Sequence, residues 1–161
     1  MHGGMGVLND DLKIFAMLFN NYIPPAERFI KEVAEELGDI QDVNRALRVT
    51  RTVFHTLRDM ITADESLHLL SQLPMILKAI YVDGWEAGKP SRIRSMEEFF
   101  DLLRSKSDRP AIDFGDDAGT VHAVQCVLDV TQRHVTVGEI AHIMDQFPQE
   151  LMILWRAPQK L

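Results

Sequence analysis

Two stretches of this chain are versions of one another. Residues 62–81 read TADESLHLLSQLPMILKAIY and residues 136–155 read TVGEIAHIMDQFPQELMILW. Aligned without a gap they share Thr62/Thr136, Glu65/Glu139, His68/His142, Gln72/Gln146, Pro74/Pro148 and Leu77/Leu151. About one identity is expected by chance in so short a window. Most other pairs keep their apolar character, as in Leu73/Phe147 and Tyr81/Trp155. Self-similarity at long period constrains architecture more than any local signal, because each copy must offer its apolar face to similar surroundings.

Around these copies the apolar residues recur at helical spacing. Asn9 or Asp10 can cap a helix over Asp11–Tyr22, whose Leu12, Ile14, Phe15, Met17, Leu18 and Phe19 cover most of its circumference. Such a helix is expected to be buried on several sides, within the monomer or at a dimer seam. Pro24-Pro25 stops it and opens the next, in which Ala26, Phe29, Ile30, Val33, Ala34 and Leu37 form one face and Gly38 closes the end. A third helix is expected over about Gln41–Met60. Each copy then begins with Thr-x-x-Glu, the pattern of a capping box. In that motif the Thr hydroxyl accepts an amide two or three residues on, and the Glu returns to the Thr amide.

Asp83–Arg94, with two Gly, one Pro and a basic cluster beside Trp85, reads as a linker. Ser95 and Glu98 form a further capping box, Ser107–Gly115 reads as a loop, and Asp116–His134 answers the long third helix. No strand alternation is present. The expected fold is all-α: two pseudo-equivalent helical repeats packed as one bundle, plus an extra N-terminal helix. The expected organisation is an apolar helix in 1–24, repeats in 25–82 and 95–157, and the linker 83–94.

The motif of a capped helix ending in Gln-[Leu/Phe]-Pro, with LPMILKAIYVDGW after the first copy and ELMILW closing the second, resembles a bacterial family, domain of unknown function 2267. The similarity spans Pro25 to Trp155. It implies a prokaryotic, helical, tandem-repeat protein. It carries over no activity and no site residues, and the first helix lies outside the family core.

Three constellations are candidates for chemistry. Glu65-x-x-His68 and Glu139-x-x-His142 place a carboxylate and an imidazole on one face of each short helix, as metal ligation requires. Against this, Glu65 and Glu139 are expected to act as caps with Thr62 and Thr136, and the long helices offer only Asp59 and Asp129 as further ligands. A second candidate is the stripe Arg45, Arg48, Arg51, His55 and Arg58, which could hold an anion or nucleic acid. Its alternative is a solvated face paired with the acidic helix bearing Glu27, Glu32, Glu35 and Glu36. Third, Trp85 near Lys89, Arg92 and Arg94 is either a docking anchor or a side chain folded onto the core.

No nucleophile elbow, phosphate loop, C-x-x-C or H-E-x-x-H is present. Cys126, the one cysteine, reads as a core thiol and fits a reducing cytoplasm. A net charge of −7 argues against non-specific nucleic-acid binding. The first residues lack a secretory leader pattern, and Leu12–Ile23 is too short for a bilayer. The expectation is a cytoplasmic, non-enzymatic module with no cofactor that binds an unknown protein partner or itself. The surplus N-terminal helix, eight methionines and the end aromatics Trp85 and Trp155 motivate it. A metal- or small-ligand-binding protein using the Glu/His pairs is the rival.

Overall fold

The computed structural model describes residues 3–156, so the outer bounds drawn at residues 1 and 157 lie outside it. Among these residues the structure is an all-α bundle with no strand. Helix α1 (Gly3–Asn20) leads into α2 (Ile23–Leu37), α3 (Val43–Met60), α4 (Ala63–Leu70) and α5 (Met75–Val82). After an irregular segment come α6 (Met96–Lys106), α7 (Pro110–Asp113), α8 (Asp117–His134), α9 (Val137–Asp145) and a 3₁₀ helix (Gln149–Leu154).

Local chemistry sets these boundaries. Prolines occupy the first positions of α2, where a missing N–H costs nothing, and Gly38 ends it at φ +92°, with its N–H on the Ala34 and Glu35 carbonyls. Asp42 caps α3 by accepting the Arg45 amide at 3.0 Å. Asp116 caps α8 by accepting the Gly119 amide at 2.8 Å. Gly119 has to be glycine, because a Cβ there would lie 2.6 Å from the Phe114 carbonyl oxygen.

Helix α3 is the hub, packed against α2, α5, α6 and α8. Its Val49, Val53, Phe54 and Leu57 join Phe29 and Val33 of α2 and Val124, Val127 and Leu128 of α8 in one continuous core. Burying each such side chain contributes roughly 1.5–3 kcal/mol. Leu69, Leu77, Tyr81, Leu151 and Leu154 extend that core beneath the short helices. Thr50, Thr56 and Thr131 enter it by donating to the carbonyl four residues back, which satisfies each hydroxyl inside its own helix.

The structure departs from the sequence expectation in four places. The first helix begins at Gly3, eight residues before the expected Asp11. The expected loop over 107–115 contains the single-turn helix α7, started by Pro110. Trp155 is buried and packs edge-on to Phe147, with ring centroids 5.3 Å apart, and Trp85 packs partly buried on Tyr81. Neither indole is therefore a free surface anchor. Most importantly, from Asn9 onward every residue of α1 is exposed, so it is not buried within the monomer.

Candidate functional site

Helices α4 and α9 meet side by side, and their first turns build the most chemically distinctive part of the molecule. Thr62 and Thr136 are the N-caps. Their hydroxyls accept the Glu65 and Glu139 amides at 3.2 and 3.4 Å. That half of each capping box is as expected. The reciprocal half is not, because neither glutamate returns to its threonine. The Thr62 amide donates to Gln146 Oε1 at 2.8 Å, and the Thr136 amide donates to Gln72 Oε1 at 2.7 Å. Each glutamine thus closes the helix start of the other segment. The Gln146 amide group also faces Thr62 Oγ1 at 3.4 Å and donates to Glu65 Oε2 at 3.3 Å. At the third box Ser95 accepts the Glu98 amide, while Glu98 accepts from Arg94, one residue before the expected Ser95 amide.

Relieved of capping, Glu65 and Glu139 turn inward and are 8% and 7% exposed. They meet with His142 so that one potential ligand atom from each lies within 4.8 Å of the others. His68 stands exposed outside this group. Asp59 and Asp129 are also elsewhere, engaged by Lys106 and Arg156. The Glu139 carboxyl is pushed up to about 7 by burial first, then by its hydrogen bond with Glu65 and that residue's charge. Two buried carboxyl groups in contact cannot both ionise cheaply. With both groups ionised, one buried oxygen on each, Oε1, has no donor among the described residues.

The arginine stripe is taken up by the protein's own interior. Arg48 forms a forked pair with Asp113 at 2.9–3.3 Å, and Arg45 donates to the Asp113 carbonyl at 2.9 Å. Asp113, from the one-turn α7, is fully buried. Arg58 is buried and donates to the carbonyls of Tyr81 and Asp83, closing the end of α5. His55 Nε2 lies 2.7 Å from the Ile80 carbonyl, and burial holds this imidazole below its ordinary value despite that bond. Among the described residues, Arg51 alone of the five makes no side-chain hydrogen bond. The expected partners on α2 are wrong as well. Glu32 and Glu36 bind Arg133, His134 and Arg156 instead.

The remaining surface feature is apolar. Leu12, Ile14, Phe15, Met17, Leu18 and Phe19 of α1 are each 54–65% exposed. A shallow groove of about 540 Å³ on α3 and α5 is lined by Leu47, Ile76, Ala79, Ile80 and Val82, with Arg51 and Asp83 at its rim. No helix among the described residues is long and apolar enough to cross a membrane.

The family model described as uncharacterized conserved protein (DUF2267) matches residues 26–154, most of the chain and every helix from α2 onward. The chain belongs to that family. No curated protein matches it. In this DUF2267 chain α1 precedes the matched region, whereas the Thr/Gln exchange and the Glu65, Glu139 and His142 group lie wholly inside it.

Sequence reasoning missed the two crossing glutamines. Their identity in the aligned copies, Gln72 with Gln146, was the signal. It also missed Asp113, which carries no periodic or motif signal.

Proposed function

We propose that this protein is a non-enzymatic helical module that self-associates through α1. The observation that carries it is the row of six large apolar side chains on α1, all more than half exposed. Six such side chains in a row form a contiguous apolar patch of the kind that specific interfaces bury. A monomer that left so much contiguous apolar surface in water would be unusual. The apolar arc of α1 spans about 220° at 100° per residue, wider than one neighbouring helix covers. A second copy supplies two surfaces for it, the partner's own α1 and the groove along α3 and α5. Asp10 and Asp11, midway along α1, carry charge complementary to Arg51 beside that groove.

The body, two units over 25–82 and 95–157 joined by 83–94, serves in this proposal as the rigid platform. The family match assigns no reaction, and a single buried cysteine suits a reducing cytoplasm.

The test is the mass of the full chain and of a variant lacking residues 1–21, by light scattering at high micromolar concentration. The full chain is expected to be a dimer, and the truncated chain a monomer with unchanged helical circular dichroism per residue in the body. A monomeric full chain would overturn the proposal. Association that survives truncation would move the interface off α1.

A further inference from the structure

We propose that Glu65, Glu139 and His142 form a binding site for a divalent transition-metal ion of the zinc class, bridging α4 and α9. Three observations support it. The first is convergence. Three potential ligand atoms from two helices far apart in sequence lie within 4.8 Å of one another, the one group of this kind among the described residues. Ligand distances of about 2.0–2.2 Å place bound atoms somewhat closer together than this. A small rotation of the exposed His142 side chain supplies the approach.

The second is the two orphaned oxygens. Oε1 of Glu65 and Oε1 of Glu139 are buried, and among the described residues no donor reaches either when both groups are ionised. A buried acceptor left unpaired is costly, and more so on a carboxylate. A proton shared between the two groups serves one contact and leaves lone pairs unused on both. A cation placed between them serves both oxygens and lets both groups stay ionised, where a shared proton holds one of them neutral.

The third is orientation. Gln146 donates to Glu65 Oε2, so the side chain that closes α4 also holds a would-be ligand in place from behind. Supporting hydrogen bonds of this kind fix ligating carboxylates.

The donor set selects the ion. Two carboxylates with one imidazole suit zinc or manganese better than magnesium or calcium, which favour oxygen alone. The two carboxylate charges balance a divalent ion, and with three protein ligands one position stays open to water. The glutamates are free for this because the crossing glutamines have taken over the capping. This site and self-association through α1 are independent of one another.

The test uses the full chain without a histidine tag, stripped with chelator and dialysed, then titrated with Zn²⁺ by calorimetry and followed by thermal unfolding. The expected result is one Zn²⁺ per chain and a raised Tm that chelator reverses. Glu139→Gln and His142→Ala should each weaken binding at least about tenfold. His68→Ala, on an exposed residue outside the group, should leave it unchanged. His142 is exposed, so its variant keeps the fold, and circular dichroism verifies both. Absence of binding would overturn the site. So would Zn²⁺ affinity that survives Glu139→Gln, or that is lost only in His68→Ala, since either would mean loose association with surface imidazoles.

Discussion

The side chain of Gln146 accepts the backbone N–H of Thr62 at 2.8 Å, across 84 positions of sequence. Its counterpart, Gln72 on the Thr136 amide, completes an exchange in which each short helix is started partly by the other. An amide at a helix start has no partner within the helix, so an outside acceptor is needed. Gln146→Ala and Gln72→Ala should each cost about 1 kcal/mol, the net value of a hydrogen bond. Urea denaturation measures this. Gln146→Glu keeps the acceptor but sets a third carboxylate beside Glu65, and should be the more destabilising at neutral pH. If the glutamates were the caps, Gln→Ala would cost nothing.

Glu139 ties stability to pH in a direction opposite to a typical ion-paired carboxylate. Its folded value of about 7 lies above the ordinary glutamate value of 4.5. Between those values the folded chain keeps a proton that the unfolded chain has lost. This contribution to stability is therefore intact below about pH 4.5 and falls as pH rises towards 7. In metal-free protein, Glu139→Gln should flatten this part of the profile and stabilise the chain at pH 7.5. A difference between variant and parent that does not depend on pH from 4.5 to 7.5 would contradict it.

Asp113 is 1% exposed and carries the Arg48 fork and, through its carbonyl, Arg45. Asp113→Ala leaves the Arg48 charge half-buried without its partner and should cost roughly 2–4 kcal/mol by chemical denaturation. Asp113→Asn, which keeps an acceptor, should cost less. A loss under about 0.5 kcal/mol would place Asp113 among ordinary surface residues.

Phe15→Glu with Leu18→Glu should abolish the proposed self-association while changing the stability of the monomer by less than about 0.5 kcal/mol, since both side chains are exposed. Light scattering and urea denaturation on the same sample separate these effects. A large loss of monomer stability would mean that α1 belongs to the core.

Cys126 is buried, and burial pushes its thiol up to about 11. It should resist a thiol reagent at pH 8 in the native state and react at once in denaturant. Rapid native labelling would show that α8 opens locally.

Much of the fold was legible because helical signals are local. Pro24-Pro25, Gly38, Thr62, Ser95, Asp116 and Thr136 each act within a few residues, and the caps stand where the pattern put them. The candidate site was only half legible. Thr-x-x-Glu matches the pattern whether the glutamate caps or turns inward, and the deciding atom belongs to a glutamine 84 residues away. The arginines misled for a similar reason. A row of charge on one helix face looks the same whether it meets water or, as at Arg48 and Arg58, a buried carboxylate and helix-end carbonyls.

What the sequence alone determined was the all-α class, the order of helices from α2 onward apart from the one-turn α7, and most of their ends, since these depend on short-range periodicity and on residues that stop or start a turn. What only the tertiary structure decided was which polar groups meet: glutamine on a distant threonine amide, Glu65 against Glu139, Arg48 on Asp113. Hydrogen bonds and ion pairs act over a few ångströms in space, and chain order does not encode that proximity until the core has packed.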